Sequence, residues 1–559
     1  MPMLRIFLLF SVIACWSTPS AAAHEHQKLI PGLGEQAFYR QVARPSDIPS
    51  DQVMERQGLK IGRVIIQANN IFDTRNPREN TRLFRLGNHL HIKTRHATIR
   101  QYLLFKTGEP YRGRLLSESE RLLRQRRYLH DARIRPVHIH EDSVDIEVVT
   151  DDVWTLKPGI SFGRAGGENT TAIEFEEINL LGRGAAITLS DRKGVDRDSL
   201  SFTYHDPTVG YSWWDLFLGY SDNSDGKSQA ITLQRPFHAL DTRRAGELSW
   251  QEFDRREPRY DLGKVIDEYQ VDQRFLKLGY GWSNGLEHGW TRRWRAGATL
   301  DENLFSRTRS TRRLPGDRTL IYPWLSWTRE EARYYKDHNR DQINRTEDVA
   351  LGWKMHLLMG YANRDFGADR NSLILRGSLR KARLFGERQT LSWQAALRGR
   401  HEQNHWANVI FNTRLRYHDR QSSRRTFYLA FGADATSRLD DDDQVLLGGD
   451  TGLRGYPLRY QAGTGRWLLT LEQRFFSHWY PFRLFNVGGA VFTDIGRTWG
   501  HRQDTQHSLG ILKDAGFGLR LGNSRSGLGS VIHLDVAFPL DGDDSIDKVQ
   551  FLVVTKNSF

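Results

Sequence analysis

The chain has 559 residues, of which 38% are hydrophobic and 26% are charged, and its mean hydropathy of -0.59 excludes a polytopic helical membrane protein. The length suits a large barrel with a small extra domain better than one ordinary globular domain. The net charge of +13 is spread along the chain, whereas nucleic-acid recognition needs it focused on one element, so we expect no nucleic-acid partner.

The N-terminus predicts a signal peptide over residues 1–23. Its apolar run, residues 6–14, is too short for a membrane helix and precedes the small residues Ala21-Ala22-Ala23. A lipoprotein cleavage box ending at Cys15 is the alternative, so lipidation of this residue stays open. Because Cys15 is the only cysteine, cleavage after the alanines leaves no disulfide, thiolate metal site or cysteine nucleophile.

Two segments are expected before the barrel. Residues 24–58 are polar and interrupted by prolines, which predicts a loose periplasmic lead-in. Residues 59–150 predict a small α+β domain in the order strand, helix, helix, strand, strand. The expected elements are a strand at 60–67, a helix capped by Thr94, a helix at 114–126, and strands at 132–138 and 143–149.

From residue 154 to residue 559 the pattern predicts an all-β transmembrane barrel. Apolar residues alternate with polar or small ones, for example along 391–398 and 533–538. A tilted strand of about 10 residues crosses the apolar band of an outer membrane. At about 25 residues per strand and loop, this region predicts about 16 antiparallel strands. The alternative of a soluble propeller requires a blade repeat, which the sequence lacks.

Two motifs in this region predict a buried ion pair. Arg454 lies on a glycine-containing segment, Leu453-Arg454-Gly455-Tyr456-Pro457. Asp494 lies on an alternating strand, Phe492-Thr493-Asp494-Ile495-Gly496. An arginine can donate two parallel hydrogen bonds to one carboxylate.

With these motifs the chain resembles the POTRA-plus-barrel outer-membrane superfamily of the BamA, TamA and FhaC type, the bacterial surface antigen family, as a member with a single POTRA-like domain. The resemblance also includes residues 105–111 in the small domain and residues 179–184 in the early barrel. It implies that the sixth extracellular loop folds into the lumen and that its Arg454 meets Asp494 on the thirteenth strand. It further implies the following roles: Glu472 as a second acceptor, Gly455 at a tight turn, Tyr456 packed on the wall, and Phe492 and Gly496 as parts of the strand motif.

Other clusters have simpler interpretations. His138 and His140 lie on one strand face and could ligate a metal, but a strand end explains them. The acidic runs 440–443 and 541–547 lack the EF-hand pattern and are interpreted as solvated loops, with calcium as the alternative. A basic run could contact lipopolysaccharide phosphates or be solvated; its members are Arg307, Arg309, Arg312, Arg313 and Arg318. No nucleophile motif occurs, so we expect no enzyme, catalytic residue, metal or cofactor.

The leading hypothesis is a Gram-negative outer-membrane protein, with the POTRA-like domain in the periplasm, that helps to insert or translocate client proteins. An unfolded client would add a strand to an exposed sheet edge, and the barrel would open between its first and last strands, at about 156–163 and 549–559. Expected partners are outer-membrane lipid, lipopolysaccharide, the client, and accessory periplasmic proteins or lipoproteins. The alternatives are two-partner secretion of one exoprotein and a passive channel or structural surface protein.

Overall fold

The computed structural model describes residues 45–343, 345–500, 510–527, 531–542 and 546–556. The expected signal peptide, most of the expected lead-in and the terminal residue Phe559 lie outside these residues. Among the residues described, the chain forms a small α+β domain followed by a closed barrel. In this part of the chain, none of the helices has the length and apolar character needed to cross a bilayer.

The α+β domain has a three-stranded sheet covered by helices. In chain order its elements are α1 (Asp51–Arg56), β1 (Lys60–Asn69), α2 (Arg82–Leu90), α3 (His96–Gln101), α4 (Gly113–Arg124), β2 (Leu129–Ile139) and β3 (Ser143–Asp152). Strand β3 lies in the middle, parallel to β1 and antiparallel to β2. Fully buried Ile99, Leu123 and Val144 join α3, α4 and β3 in one apolar core. This order matches the predicted one, with α1 and α2 in addition.

Twenty strands close the barrel, and two further strand pairs lie outside its wall. The separate pairs are β14 with β15 and β21 with β22. In chain order the strands are β4 (Leu156–Ala165), β5 (Glu168–Leu180), β6 (Ala185–Lys193), β7 (Asp198–Asp206), β8 (Asp215–Asn223), β9 (Gly226–Arg235), β10 (Arg244–Asp261), β11 (Lys264–Glu287), β12 (Trp290–Arg307), β13 (Arg318–Glu331), β14 (Tyr334–His338), β15 (Thr346–Ala350), β16 (Lys354–Ala362), β17 (Ser372–Phe385), β18 (Gln389–Glu402), β19 (His405–Ser422), β20 (Arg425–Ser437), β21 (Val445–Leu447), β22 (Gln461–Gly463), β23 (Gly465–Phe476), β24 (Phe485–Trp499), β25 (Leu512–Asn523), β26 (Val531–Pro539) and β27 (Gln550–Lys556).

The prediction of about 16 strands is therefore wrong, because it allowed too many residues for each connection. Many connections are two-residue turns, at 166–167, 224–225, 262–263, 288–289, 403–404 and 423–424. The extra strands precede the predicted ion pair. As a result, β24, which carries Asp494, is the seventeenth strand of the barrel wall and not the thirteenth.

The barrel wall presents apolar side chains to its surroundings. Along β24, Val491 is 55% exposed while its neighbour Phe492 is 3% exposed. On β25, Phe517 and Leu519 are exposed, whereas the neighbouring residue Arg520 is fully buried. An apolar outer face with a polar inner face is the pattern of transmembrane β-barrels.

The α+β domain packs against one end of the barrel, which we call the near end; the opposite end is the far end. The turn between β5 and β6 makes part of this contact, since Thr98 donates a hydrogen bond to the Gly182 carbonyl at 2.8 Å. Gly182 has a φ of 72°, and a Cβ there would lie 2.4 Å from the Lys93 carbonyl oxygen. Glycine is required at this turn both by conformation and by the close approach of the domain.

Candidate functional site

A long loop between β20 and β23, residues 438–464, folds from the far end into the barrel; we call it the inserted loop. It carries the short pair β21 and β22. Its apolar side chains pack with residues of the wall and of the next loops in one buried cluster, formed by Leu447, Leu453, Tyr456, Tyr460, Leu512 and Ile546. The loop therefore has a core of its own within the barrel.

Arg454, in this loop, is 5% exposed and lies among carboxylates of the wall. Its Nε and Nη2 donate to the two oxygens of Asp494 at 2.6 and 3.0 Å, and its Nη1 donates to Glu472 at 2.9 Å. Thr470 donates a further hydrogen bond to Asp494 at 2.7 Å. Two parallel charge-assisted bonds fix both the position and the orientation of the guanidinium.

Aromatic contact completes the environment of Arg454. The guanidinium carbon lies 3.3 Å from the ring centroid of Phe492 on β24. This stacking uses a face of the guanidinium plane that makes no hydrogen bonds. Phe492 thus accounts for the aromatic position of the predicted strand motif.

The ion pair belongs to a larger buried network. Asp535 on β26 lies 3.7 Å from Arg454 Nη1 and is also paired with Arg520. Arg474 donates to the second oxygen of Glu472 at 2.9 Å. Because unpaired charges in such a site cost several kcal/mol each, the members stabilise one another as a set.

Burial alone would lower the pKa of the Arg454 guanidinium. The negative charges of Asp494, Glu472 and Asp535 outweigh the burial, and its pKa is raised above the ordinary value. The guanidinium is therefore charged at physiological pH.

Gly455 and Tyr456 fasten the tip of the inserted loop. The Gly455 N–H donates to Asp514 at 3.0 Å, and a Cβ at this position would lie 2.7 Å from the Asp514 Cβ and 3.0 Å from the Pro539 nitrogen. The Tyr456 hydroxyl lies 2.8 Å from the Lys513 carbonyl oxygen. Gly455 lies in a tight turn, because the Tyr456 N–H donates to the Leu453 carbonyl at 3.1 Å, and the close approach of the wall leaves no room for a Cβ there. The other predicted glycine, Gly496, is buried against Leu447.

The first acidic run, which was interpreted as a solvated loop, lies against the basic run, for which lipopolysaccharide contact and solvation were both left open. Arg318 pairs with Asp440 and Asp442 at 2.9 and 3.0 Å. Arg313 pairs with Asp441 at 3.0 Å. The acidic run therefore ties the inserted loop to the far-end wall. The second acidic run, 541–547, lies partly outside the described residues.

His138 and His140 do not form a metal site with other residues of the described chain. Both are exposed near the end of β2, and His140 lies 3.4 Å from Asp145. This position agrees with the simpler interpretation of a strand end.

A second insertion, which the sequence analysis missed, enters from the near end. Residues 332–353, which include β14 and β15, form what we call the near-end hairpin. At its base, Asp348 accepts two hydrogen bonds from Arg124 of the α+β domain at 2.7 and 2.8 Å. At its tip, Ile343 is buried against Phe476, Ala490 and Val531. The signal in the sequence was the interruption of the alternating pattern between β13 and β16 by a segment too long for a turn.

The barrel closes where β27 meets β4, and this seam has little pairing. Within the described residues the register between the two strands includes one pair, Val553 opposite Arg164. By contrast, β4 and β5 share ten register pairs, and β26 and β27 share seven.

No protein-family model matches the chain, and no curated protein does. Among solved structures, the chain is similar to BamA from Haemophilus ducreyi lacking POTRA domains 1–3, with 12% identity, 89% of this chain and 84% of that chain covered, and a TM-score of 0.39. It is also similar to CdiB from Acinetobacter baumannii and CdiB from Escherichia coli, each with 13% identity over 89% of this chain and a TM-score of 0.45, covering 74% and 76% of those chains.

Proposed function

We propose that this chain is an outer-membrane protein that inserts or translocates client proteins, with its α+β domain acting as a POTRA-like docking module in the periplasm. The near end then faces the periplasm and the far end faces the outside of the cell. Closed barrels with an apolar outer face are the form in which β-proteins cross outer membranes.

The weakly paired seam carries this proposal. A backbone N–H or C=O without a partner in hydrocarbon costs several kcal/mol. A client strand that pairs with β4 or β27 would satisfy such groups, and its own folding and membrane burial would supply the free energy. The open edge of a sheet is the general template for strand addition.

The contents of the lumen favour a translocator over a passive channel. The inserted loop and the near-end hairpin both occupy the barrel interior, and the loop is held there by the buried Arg454 network. We propose that this ion pair is a latch between loop and lumen that keeps the barrel closed while it is idle.

The second candidate is secretion of one dedicated exoprotein through the lumen. Barrel diameter grows with strand number, and the twenty strands leave a wider interior than the sixteen first expected. Transport through the lumen requires both the inserted loop and the near-end hairpin to leave it. Adding a client strand at the seam does not require either of them to move.

A crosslink across the seam tests the proposal. Arg164→Cys with Val553→Cys places thiols on the register pair that the seam has within the described residues. The thiols are joined by oxidation or by a short bifunctional thiol reagent in a Cys15→Ser background. The matched control, Arg164→Cys with Asn169→Cys, joins β4 to β5, which are paired throughout. The readout is the protein composition of the outer membrane and of the culture medium.

Each outcome separates the candidates. We expect the seam crosslink, and not the control, to deplete barrel proteins from the outer membrane. Loss of one secreted protein only when the inserted loop is crosslinked to β24 would favour export through the lumen. Unchanged compositions in all crosslinked strains would contradict both translocator functions.

A further inference from the structure

A cavity of about 410 Å³ lies where the α+β domain meets the near end of the barrel. The domain contributes an apolar wall, Leu104 and Leu115, and the barrel contributes a basic one. The basic wall consists of Arg235 at the end of β9, Arg244 at the start of β10, and Arg243 directly before it. Such a combination fits a ligand that has an anionic group next to an apolar body.

The positive charge of this cavity is not neutralised by the protein. Asp241, its one acidic lining residue, is paired with Arg114 of the domain. Within the described chain, Arg235, Arg243 and Arg244 make no ion pair with a carboxylate. The Nε of Arg235 is moreover buried without a hydrogen-bond partner. Because buried polar groups are normally hydrogen-bonded, this N–H group could be satisfied by an acceptor from outside the chain.

The height of the cavity on the barrel is marked by tryptophans. In the register of the wall, Arg244 lies opposite Trp282, which lies opposite Trp294, which lies opposite Trp327. Trp282 and Trp294 face outward, with exposures of 42% and 38%. Outward aromatic rows on membrane barrels lie at the boundary between hydrocarbon and headgroups. Arg244 is therefore at the level of lipid phosphates.

We propose that this cavity binds the phosphate of a phospholipid from the near-end leaflet, held by Arg235, Arg243 and Arg244, with the lipid's apolar part against Leu104 and Leu115. Guanidinium groups donate paired hydrogen bonds to phosphate oxygens, and basic pockets at this level are suited to lipid headgroups. A bound lipid would bridge the domain and the barrel. This inference goes beyond the proposed function and requires only that the barrel lies in a bilayer.

Native mass spectrometry of the full chain tests it. The purified protein in detergent is mixed with phosphatidylglycerol, with a diacylglycerol that lacks phosphate, or with inorganic phosphate. The test variant is Arg235→Gln/Arg243→Gln/Arg244→Gln. The control variant is Arg388→Gln/Arg424→Gln/Arg425→Gln, which removes the same charge from exposed positions at the same end of the barrel.

We expect phosphatidylglycerol to be retained by the wild type and by the control. Each arginine near a lipid surface contributes about a five-fold factor, so the test variant should bind about 100-fold more weakly. The single Arg243→Gln variant, at an exposed position, should bind about five-fold more weakly and checks the result in a minimally altered protein.

Three results would overturn the inference. Equal weakening in both triple variants would reduce the site to general charge attraction. Equal retention of diacylglycerol, which has no phosphate, would show that the site does not recognise the phosphate. Retention of inorganic phosphate without phosphatidylglycerol would make the ligand a free ion. Because no client is present, these results are independent of the seam experiment.

Discussion

The two insertions fill the lumen from opposite ends and differ in what holds them: the barrel wall for the loop, and both the wall and the α+β domain for the hairpin. The inserted loop is anchored to the wall, deep in the barrel, by the Arg454 network and its own apolar cluster. The near-end hairpin is anchored by charge at its base to the α+β domain, and it also meets the wall, through the pair of Asp337 with Arg420 and through its apolar tip. The loop therefore depends on the barrel wall, whereas the hairpin depends on the position of the domain as well.

The largest expected effect comes from removing the loop's central charge. Arg454→Ala leaves Asp494 and Glu472 without their cation in a buried site, which should cost about 3 to 5 kcal/mol. Thermal unfolding, followed by the loss of the compact band in unheated gel samples, measures it. The double variant Arg454→Ala/Asp494→Ala should be less damaging than the single one, and Arg459→Ala, at a more exposed ion pair with Asp196, is the control. Unchanged heat stability in Arg454→Ala and in Asp494→Ala would contradict the latch.

The corresponding change at the hairpin is Arg124→Ala. Arg124 is 7% exposed, and its loss leaves Asp348 without its partner at a cost of about 3 kcal/mol. Hydrogen exchange should increase most in the 334–350 segment and less around Arg454, which is linked to the hairpin through Arg474. Arg135→Ala, which breaks the half-exposed pair with Glu147 inside the domain, should leave the exchange of the hairpin unchanged; an equal effect would show a general loss of domain stability.

Gly455→Ala sharpens the comparison through packing alone. The added Cβ meets backbone atoms of Pro539 and the Asp514 side chain, and such overpacking costs about 2 kcal/mol. The unfolding temperature of the barrel should fall and the loop should become accessible to protease. Gly316→Ala, where a Cβ has open space, is the matched control and should behave like the wild type.

The smallest effect should appear at the hairpin and depend on pH. Burial raises the pKa of Glu347 from 4.5 to about 7, against the backbone N–H groups of residues 340–342 that donate to it. The folded state then holds a proton that the unfolded state releases, so stability falls as pH rises from about 4.5 to about 7.

Glu347→Gln removes this dependence. At pH 8 the variant should protect the hairpin from exchange better than the wild type, by roughly 1 to 2 kcal/mol, and at pH 4.5 the two should be equal. An advantage that does not change between these pH values would contradict the assignment.

Much of the Arg454 site and of the α+β domain could be predicted from the local sequence pattern. Alternation along β23 places Glu472 on the face opposite Leu471, and glycine beside Arg454 permits the close approach of the loop. The order of strands and helices in the α+β domain follows from periodicity in the same way. The structure brings Arg454, Asp494 and Glu472 into contact.

The parts that could not be predicted depend on contacts distant in sequence. In the sequence, a turn of two residues is hard to distinguish from the interior of a strand. Four of the twenty barrel strands were therefore not counted. Asp440 pairs with Arg318 and Arg400 across the lumen. Taken alone, neither the acidic run 440–443 nor the basic run 307–318 indicates such a contact. The near-end hairpin is stabilised by the α+β domain, which lies about 200 residues earlier and leaves no local pattern.

Arg474 links the near-end hairpin to the inserted loop thermodynamically. It donates to the Arg340 carbonyl of the near-end hairpin at 3.2 Å and to Glu472, which also holds Arg454, at 2.9 Å. Any coupling free energy between two sites acts equally in both directions. A ligand that displaces the hairpin would loosen the loop by the same factor by which displacing the loop would loosen the hairpin, so the two ends of the barrel share one equilibrium.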